Sequence, residues 1–136
     1  MEGESNLEIL IRSMRPRLRD GAFVFVTFAR DDLLPENIRP VMSFAEEEGT
    51  TWIVSAGVAA GEGLEGTFPS RMITLDVHSA LDAVGFLAAV TTALASKGIG
   101  VNPVSAYFHD HLFVPVERAE EALRILEEMS ARSPER

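Results

Sequence analysis

Three histidines are the side chains of this sequence best suited to chemistry. His78 follows an apolar run, and His109 and His111 flank Asp110 in a His-Asp-His triplet. Imidazole and carboxylate groups are ligands that zinc and nickel accept. If the sheet brings the end of one strand beside the turn after the next, the three histidines form a candidate metal site. The alternative is a polar turn in which Asp110 bonds to its own backbone. We favour the turn, because the spacing fixes no second acidic ligand.

The stretch from Gly61 to Gly66 matches the G-x-G-x-x-G pattern of dinucleotide-binding turns. That pattern needs a strand before it and a helix after it, whereas here a helical turn precedes it and Thr67-Phe68-Pro69 follows. Glu62 and Glu65 would also repel a pyrophosphate. We therefore predict a mobile glycine-rich loop over residues 61–69.

No Gly-x-Ser-x-Gly elbow is present, and Ser79 beside His78 is a poor nucleophile pair because neighbouring side chains diverge.

A predicted strand-to-helix bend around residues 78–86 is the main candidate for function. Before it, residues 72–77 alternate apolar with more polar side chains, as a half-buried strand does. After it, apolar residues follow helical spacing as far as Gly98. Ser79 with Asp82 three residues later has the form of a capping box, which predicts a helix that starts there. Free N–H groups at such a junction attract carboxylates and phosphates.

Composition narrows the classes of function. The chain has 136 residues with 46% hydrophobic content, which supports a packed core. It has no cysteine, and its N-terminus is acidic and unlike a signal peptide, so we expect a cytoplasmic protein without disulfides. The net charge of −9 disfavours nucleic acid and anionic membranes as partners. No apolar run reaches the roughly 20 residues of a membrane helix.

The elements that must position these residues follow from periodicity and turn signals. We predict helices at 6–14, 58–60 and from the bend to about 97, and a last helix that starts at Pro115 and frays from Ser130. Strands are predicted at 22–28, 41–46, 51–55, 72–77, 101–108 and 112–114, the last two joined by a turn at His109–His111. Each half of the chain then holds part of a split βαβ pattern, which indicates an α+β fold with helices on one face of antiparallel sheets.

The order of elements and two motifs resemble the ACT domain, a ferredoxin-like regulatory module that binds amino acids. The bend runs into a helix that reaches Gly98, and the string Tyr107–Pro115 and the upstream Ile38–Met42 are similar to small prokaryotic proteins made of two ACT-like halves. More distantly, the chain is similar to aspartate kinase regulatory regions and CASTOR arginine sensors. The resemblance implies two ferredoxin-like halves, over residues 5–68 and 69–131.

The resemblance also implies where a ligand binds. In ACT domains, amides of the bend hold the effector's carboxylate, and a polar residue of the next strand contacts it across a paired domain. The family's usual asparagine position falls on Gly100 here, and Asn102 lies two residues further on the same strand face. The predicted ligand-binding residues are Ser79, Ala80, Leu81, Val84, Gly85, Phe86 and Asn102.

The expected function is therefore a non-catalytic sensor of an amino acid, without a cofactor. We expect the ligand at the interface of the halves or of subunits, and a homodimer or a protein partner that receives the signal. Two alternatives remain at this point. One is a metal-dependent protein that uses the three histidines, and the other is a structural dimerisation module without a ligand.

Overall fold

Helices and strands alternate along the chain in a mixed α+β order. The computed structural model describes residues 3–29 and 32–132. The elements are α1 (Leu7–Ser13), β1 (Pro16–Leu18), β2 (Phe23–Phe28), β3 (Met42–Ala45), β4 (Thr50–Ser55), α2 (Ala56–Gly61), β5 (Thr67–Leu75), α3 (Phe86–Ala95), β6 (Asn102–Ser105), β7 (Asp110–Pro115) and α4 (Ala119–Arg132), with one 3₁₀ turn (Val116–Arg118) before α4. None of these described helices has the length and apolar composition to span a membrane.

The first of two compact units, unit 1, is discontinuous in sequence and contains residues 3–19 and 71–132 of the described chain. In it β5 lies between β1 and β7, and β6 is the outer strand beside β7. Strand periodicity directs alternate residues of β5 and β7 to the same side, where they meet α1, α3 and α4. The fully buried side chains of this core include Leu10, Ile73, Leu75, Val90, Leu94, Leu112, Val114 and Leu126.

The second unit, unit 2, contains residues 20–70. Its strands lie in the order β3, β4, β2 and the start of β5, and all neighbours are antiparallel. Ala59 of α2 and Ile38 cover a small core that also contains Val24, Val26, Trp52 and Val54. The tilted ring of Phe28 lies 5.3 Å from that of Trp52 and closes one end of this core.

The predicted α+β class, the N-terminal helix, strand 22–28, and the hairpin from 41 to 55 are confirmed. The glycine-rich loop is shorter than predicted, because β5 begins at Thr67 rather than near residue 72. Thr67 pairs with Phe25, and the ring of Phe68 packs edge-on against Phe25 at 5.9 Å. The alternation signal misses this part of the strand because Phe68 has a φ of +58° and the register with β2 is irregular.

Three boundaries near the C-terminus also differ from prediction. The turn between β6 and β7 is Ala106–His109, closed by the bond from the Ala106 amide to the His109 carbonyl at 3.0 Å. Asp110 and His111 therefore lie within β7 and not in the turn. Pro115 ends β7 and precedes the 3₁₀ turn. Helix α4 continues past Ser130 to Arg132, and the Ser130 hydroxyl donates to the Arg12 carbonyl at 3.0 Å.

Candidate functional site

Residues 76–85 connect β5 to α3, and we call them the β5–α3 bend. The helix that follows begins at Phe86, later than the predicted capping box requires. Gly85 is the N-cap residue, with a φ of +91° and no side chain that caps the first turn. Ser79 does not cap α3, because its hydroxyl is used elsewhere. The first turn of α3 is thus left without a side-chain acceptor, a condition under which backbone donors are available to an anion.

The side chain of Asp110 joins the bend to the β6–β7 hairpin. Its Oδ2 accepts a hydrogen bond from the Ser79 hydroxyl at 3.1 Å, and its Oδ1 accepts one from the Ser105 hydroxyl at 2.6 Å. Asp110 is the first residue of β7 and pairs with Ser105, the last residue of β6. Only 6% of Asp110 is exposed. A buried carboxylate therefore holds the bend in place through two neutral donors.

The N-terminal segment, residues 3–6, lies along the bend as a single parallel bridge. The Glu4 amide donates to the His78 carbonyl, and the Ala80 amide donates to the Glu4 carbonyl, both at 2.7 Å. Gly3 fits only because it has no side chain, since a Cβ there would lie 2.6 Å from the Ser79 carbonyl carbon. The Ala80 amide, which the resemblance assigned to a ligand, is therefore occupied by the chain itself.

Other amides of the bend remain available. The Ala83 amide donates to the Ala80 carbonyl at 3.0 Å, which closes a turn. Within the described residues the amides of Leu81, Val84 and Gly85 have no backbone or side-chain acceptor. These amides and the first N–H groups of α3 are the hydrogen-bond donors that the bend offers.

A cavity of about 200 Å³, which we call the bend pocket, opens between the bend, the start of α3 and the β6–β7 hairpin. It is lined by Ser79, Ala80, Leu81, Ala83, Phe86, Leu87, Ser105, Ala106 and Asp110. A second cavity of about 200 Å³ lies on the outer side of the bend against Gly3, His78 and Tyr107. The bend pocket has space for one small metabolite, and polar atoms make up at least as much of its lining surface as apolar atoms do.

The histidines do not assemble the alternative metal site. The ring of His78 packs against Phe108 at 5.3 Å and Tyr107 at 6.2 Å. The His109 Nε2 lies 3.3 Å from the Asp76 Oδ1. In the part of the chain that the structure describes, no group of three or more His, Asp or Glu side chains is placed to hold a metal ion. This arrangement does not favour the alternative that places all three histidines in one metal site: the rings of His109 and His111 lie 6.2 Å apart, whereas His78 packs against Phe108 and Tyr107.

His111 lies on the sheet face opposite the helices of unit 1. Its Nδ1 is 3.0 Å from the hydroxyl of Thr74, which also accepts from an Arg19 guanidinium nitrogen at 3.2 Å. Burial lowers the pKa of His111, and the charges of His109 and Arg19 lower it further. The ring is therefore neutral near pH 7 and serves as a hydrogen-bond partner within the sheet.

The predicted ligand-binding residues are partly brought together. Ser79, Ala80, Leu81 and Phe86 line the bend pocket. Val84 and Gly85 lie in the same bend, and the Val84 side chain is 84% exposed. Asn102 starts β6, pairs with Phe113 and is exposed, and it is not among the residues that line the pocket.

Sequence reasoning missed two polar residues of the pocket, Ser105 and Asp110. Asp110 was assigned to a turn, where a solvated carboxylate is ordinary. One signal could have identified it: an acidic residue directly before the apolar run Leu112-Phe113-Val114, with a serine at the matching end of the partner strand. A buried acid needs donors, and the pairing of Ser105 with Asp110 supplies one.

Comparison with known families gives two matches. A family model described as ACT domain matches residues 2–71, and a second ACT domain model matches residues 67–128. No curated protein matches the chain. The two matches cover both predicted halves and confirm a protein of two ferredoxin-like, ACT-type halves. The boundary between residues 68 and 69 stays a prediction.

Solved structures share this fold. A Vibrio cholerae protein of unknown function, described as a possible transport protein, is 41% identical with a TM-score of 0.81, over 91% of this chain and 95% of that chain. Agrobacterium tumefaciens protein Atu0741 is 15% identical with a TM-score of 0.71, over 86% and 89%. The ligand-free regulatory subunit of aspartate kinase from Thermus thermophilus is 16% identical with a TM-score of 0.62, over 93% and 99%. At these identities the last two matches show likeness of fold alone.

Proposed function

Because the chain belongs to the ACT domain family, we propose that it is a non-catalytic regulatory module that binds a small metabolite, specifically an amino acid. The bend pocket carries this proposal. It lies where α3 begins, it has about 200 Å³ of space, and its lining combines the polar side chains of Ser79, Ser105 and Asp110 with the apolar residues Leu81, Phe86 and Leu87. An amino acid of modest size matches this volume, and its carboxylate matches the donors at the start of α3.

The ligand contacts in this proposal follow from the bend. The amides of Leu81 and Phe86, two residues that line the pocket, receive the carboxylate, and Val84 and Gly85 set the direction of the chain between them. The side chains of Leu81 and Phe86 face the apolar part of the ligand. Ser79 contributes through its link to Asp110, which fixes the position of the bend. The Ala80 amide joins this set only when the N-terminal segment leaves it.

Signal transfer requires a second surface that responds to the ligand. We propose that the chain acts as a homodimer or on a protein partner, in the cytoplasm. In this proposal Asn102, which is exposed on the outer strand of unit 1, contacts a ligand that a second copy holds. The net charge of −9 argues against nucleic acid and anionic membranes as receivers of the signal.

A thermal-shift screen with the twenty standard L-amino acids tests the proposal. A ligand at 100 times its dissociation constant stabilises the folded chain by about 2.7 kcal/mol, which gives a clear rise in melting temperature. Absence of any shift at 10 mM for all twenty, together with no heat of binding in calorimetry, would sink the proposal.

A pocket-filling variant locates the site. Ala106 is exposed on the hairpin and lines the bend pocket, so Ala106→Phe fills the cavity without disturbing the core. We expect this variant to lose the amino-acid shift and to keep its own melting temperature. Ala131→Phe, an exposed alanine in α4 outside the pocket, is the matched control and should retain the full shift. Equal responses from both variants would place the ligand elsewhere.

A further inference from the structure

Asp110 is a buried carboxylate without a cationic partner among the described residues. It is 6% exposed, and the two groups that reach its oxygens are neutral hydroxyls, those of Ser79 and Ser105. Asp76 pairs with Arg17 and His109, and Glu121 pairs with Arg118, so none of these ion pairs includes Asp110. Buried charges in proteins are ordinarily paired or bound to a metal. The described residues therefore place no cation beside Asp110.

The basic side chain next along the strand does not supply that charge. His111 turns its Nδ1 to Thr74 on β5, 3.0 Å away. Burial lowers the pKa of His111, so the ring is neutral near pH 7 despite the nearby acid. No group of acidic and histidine side chains in the described chain is arranged for a metal ion either.

The open side of Asp110 faces the bend pocket. Each carboxylate oxygen accepts one hydroxyl and keeps a further lone pair. Because both serine hydroxyls give their hydrogen to Asp110, the hydroxyl oxygens are left as acceptors. On this wall of the pocket the side-chain oxygens of Asp110, Ser79 and Ser105 remain as acceptors, while the start of α3, whose Phe86 and Leu87 also line the pocket, has no side-chain acceptor for its first amides.

We propose that Asp110 recognises a primary ammonium group of the ligand, and that the ligand is an amino acid held by its ammonium at Asp110 and its carboxylate at the start of α3. This inference rests on the proposed function and narrows it. It assigns specificity to the free amino group, so hydroxy acids and N-acylated amino acids of equal size are poor ligands. An ammonium has three donors, which suits the acceptors of Asp110, Ser79 and Ser105.

Matched pairs of compounds test this on the wild-type chain by calorimetry at pH 7. The pairs are L-alanine and L-lactate, L-aspartate and L-malate, L-leucine and L-2-hydroxyisocaproate, and L-phenylalanine and L-phenyllactate. We expect the amino acid of a binding pair to bind roughly tenfold to a hundredfold more tightly than its hydroxy partner. Equal affinity within every binding pair overturns the role of Asp110 and leaves the proposed function standing. Failure of all eight compounds to bind at 10 mM, together with a negative screen of the twenty amino acids, overturns both.

Variants test whether Asp110 causes the preference for the amino acid over its hydroxy partner. Asp110→Asn removes the charge but keeps size and hydrogen bonding, and we expect it to reduce the preference for the amino acid to less than about threefold. Glu128→Gln, which removes an exposed acid of α4 outside the pocket, should keep the wild-type preference. A full preference in folded Asp110→Asn overturns the proposal. If Asp110→Asn does not fold, the wild-type pairs still decide the matter.

Discussion

Gly85 turns the chain into α3 at a φ of +91°, a backbone conformation that residues with a Cβ rarely adopt. Space is not the obstacle, because a Cβ at Gly85 would meet only the Leu7 Cδ2 at an ordinary 3.5 Å. The demand for glycine here is therefore conformational. The direction in which the first amides of α3 point therefore depends on Gly85.

Gly85→Val should destabilise the chain by about 1–3 kcal/mol, because a β-branched residue at positive φ is strained. We expect a melting temperature roughly 5–10 °C lower by scanning calorimetry. The amino-acid response should disappear as well, since the bend amides lose their direction. Gly100→Ala is the control: its Cβ would meet nothing within 4 Å and its φ is not positive, so it should melt like wild type. Full ligand response in Gly85→Val would show that the site is misplaced.

His111 should make stability depend on pH. Burial lowers its pKa in the fold below the ordinary 6.5, so the unfolded chain binds the proton more readily. The stabilisation is present above pH 6.5 and is lost as pH falls from there through the lowered pKa. We expect melting temperature to fall between pH 7 and pH 5, and to fall less steeply in His111→Gln. Parallel curves for both proteins would contradict this assignment.

At the scale of elements, the N-terminal segment covers part of the bend. It is held by the two backbone bonds between Glu4 and residues 78 and 80, and only glycine fits at position 3. Gly3→Ala should displace it and increase hydrogen exchange of the Ala80 amide by about tenfold or more, with little change in melting temperature. Gly61→Ala, where a Cβ would meet nothing within 4 Å, should leave that amide unchanged. Protection of Ala80 in Gly3→Ala would mean that other contacts hold the cover.

Elements with strong periodicity were predictable from the sequence, whereas the boundaries and connections between them were not. Helix 6–14, strand 22–28 and the 41–55 hairpin follow from apolar spacing and turn residues alone. The start of α3 was not predictable, because the capping-box pattern of Ser79 competes with the nonlocal bond from Ser79 to Asp110, and the bond to Asp110 forms instead. The bend pocket was likewise only partly predictable from the sequence. Its bend residues lie next to one another in sequence, but Ser105 and Asp110 reach them only through the pairing of β6 and β7.

At the scale of the whole molecule, the N-terminal helix belongs to the core of unit 1, although a strand-rich segment of the other unit separates it from the rest in sequence. Leu10 and Met14 are buried against residues of β5, α3 and α4. If the chain were divided into two contiguous halves, Leu10 and Met14 would fall in the first half and their packing partners in the second. Their burial makes α1 and Met14 part of the folded core of unit 1.

Leu10→Ala should therefore cost about 2–5 kcal/mol, as large-to-small changes at buried leucines do. Leu33→Ala, at a leucine that is 85% exposed, should change stability by less than about 0.5 kcal/mol. Urea denaturation of the two variants makes the comparison. A small loss in Leu10→Ala, close to that of Leu33→Ala, would show that α1 is dispensable to unit 1.

The pairing of β1 with the end of β5 has a consequence for engineering. Leu18 is opposite Ile73, and the Arg19 amide donates to the Met72 carbonyl at 2.8 Å, so the two points at which the chain leaves and re-enters unit 1 are adjacent. Antiparallel strands that lie this close accept a two-residue link such as Asn-Gly. We therefore expect that one tight connection can replace residues 20–70 and that the shortened polypeptide retains the bend pocket.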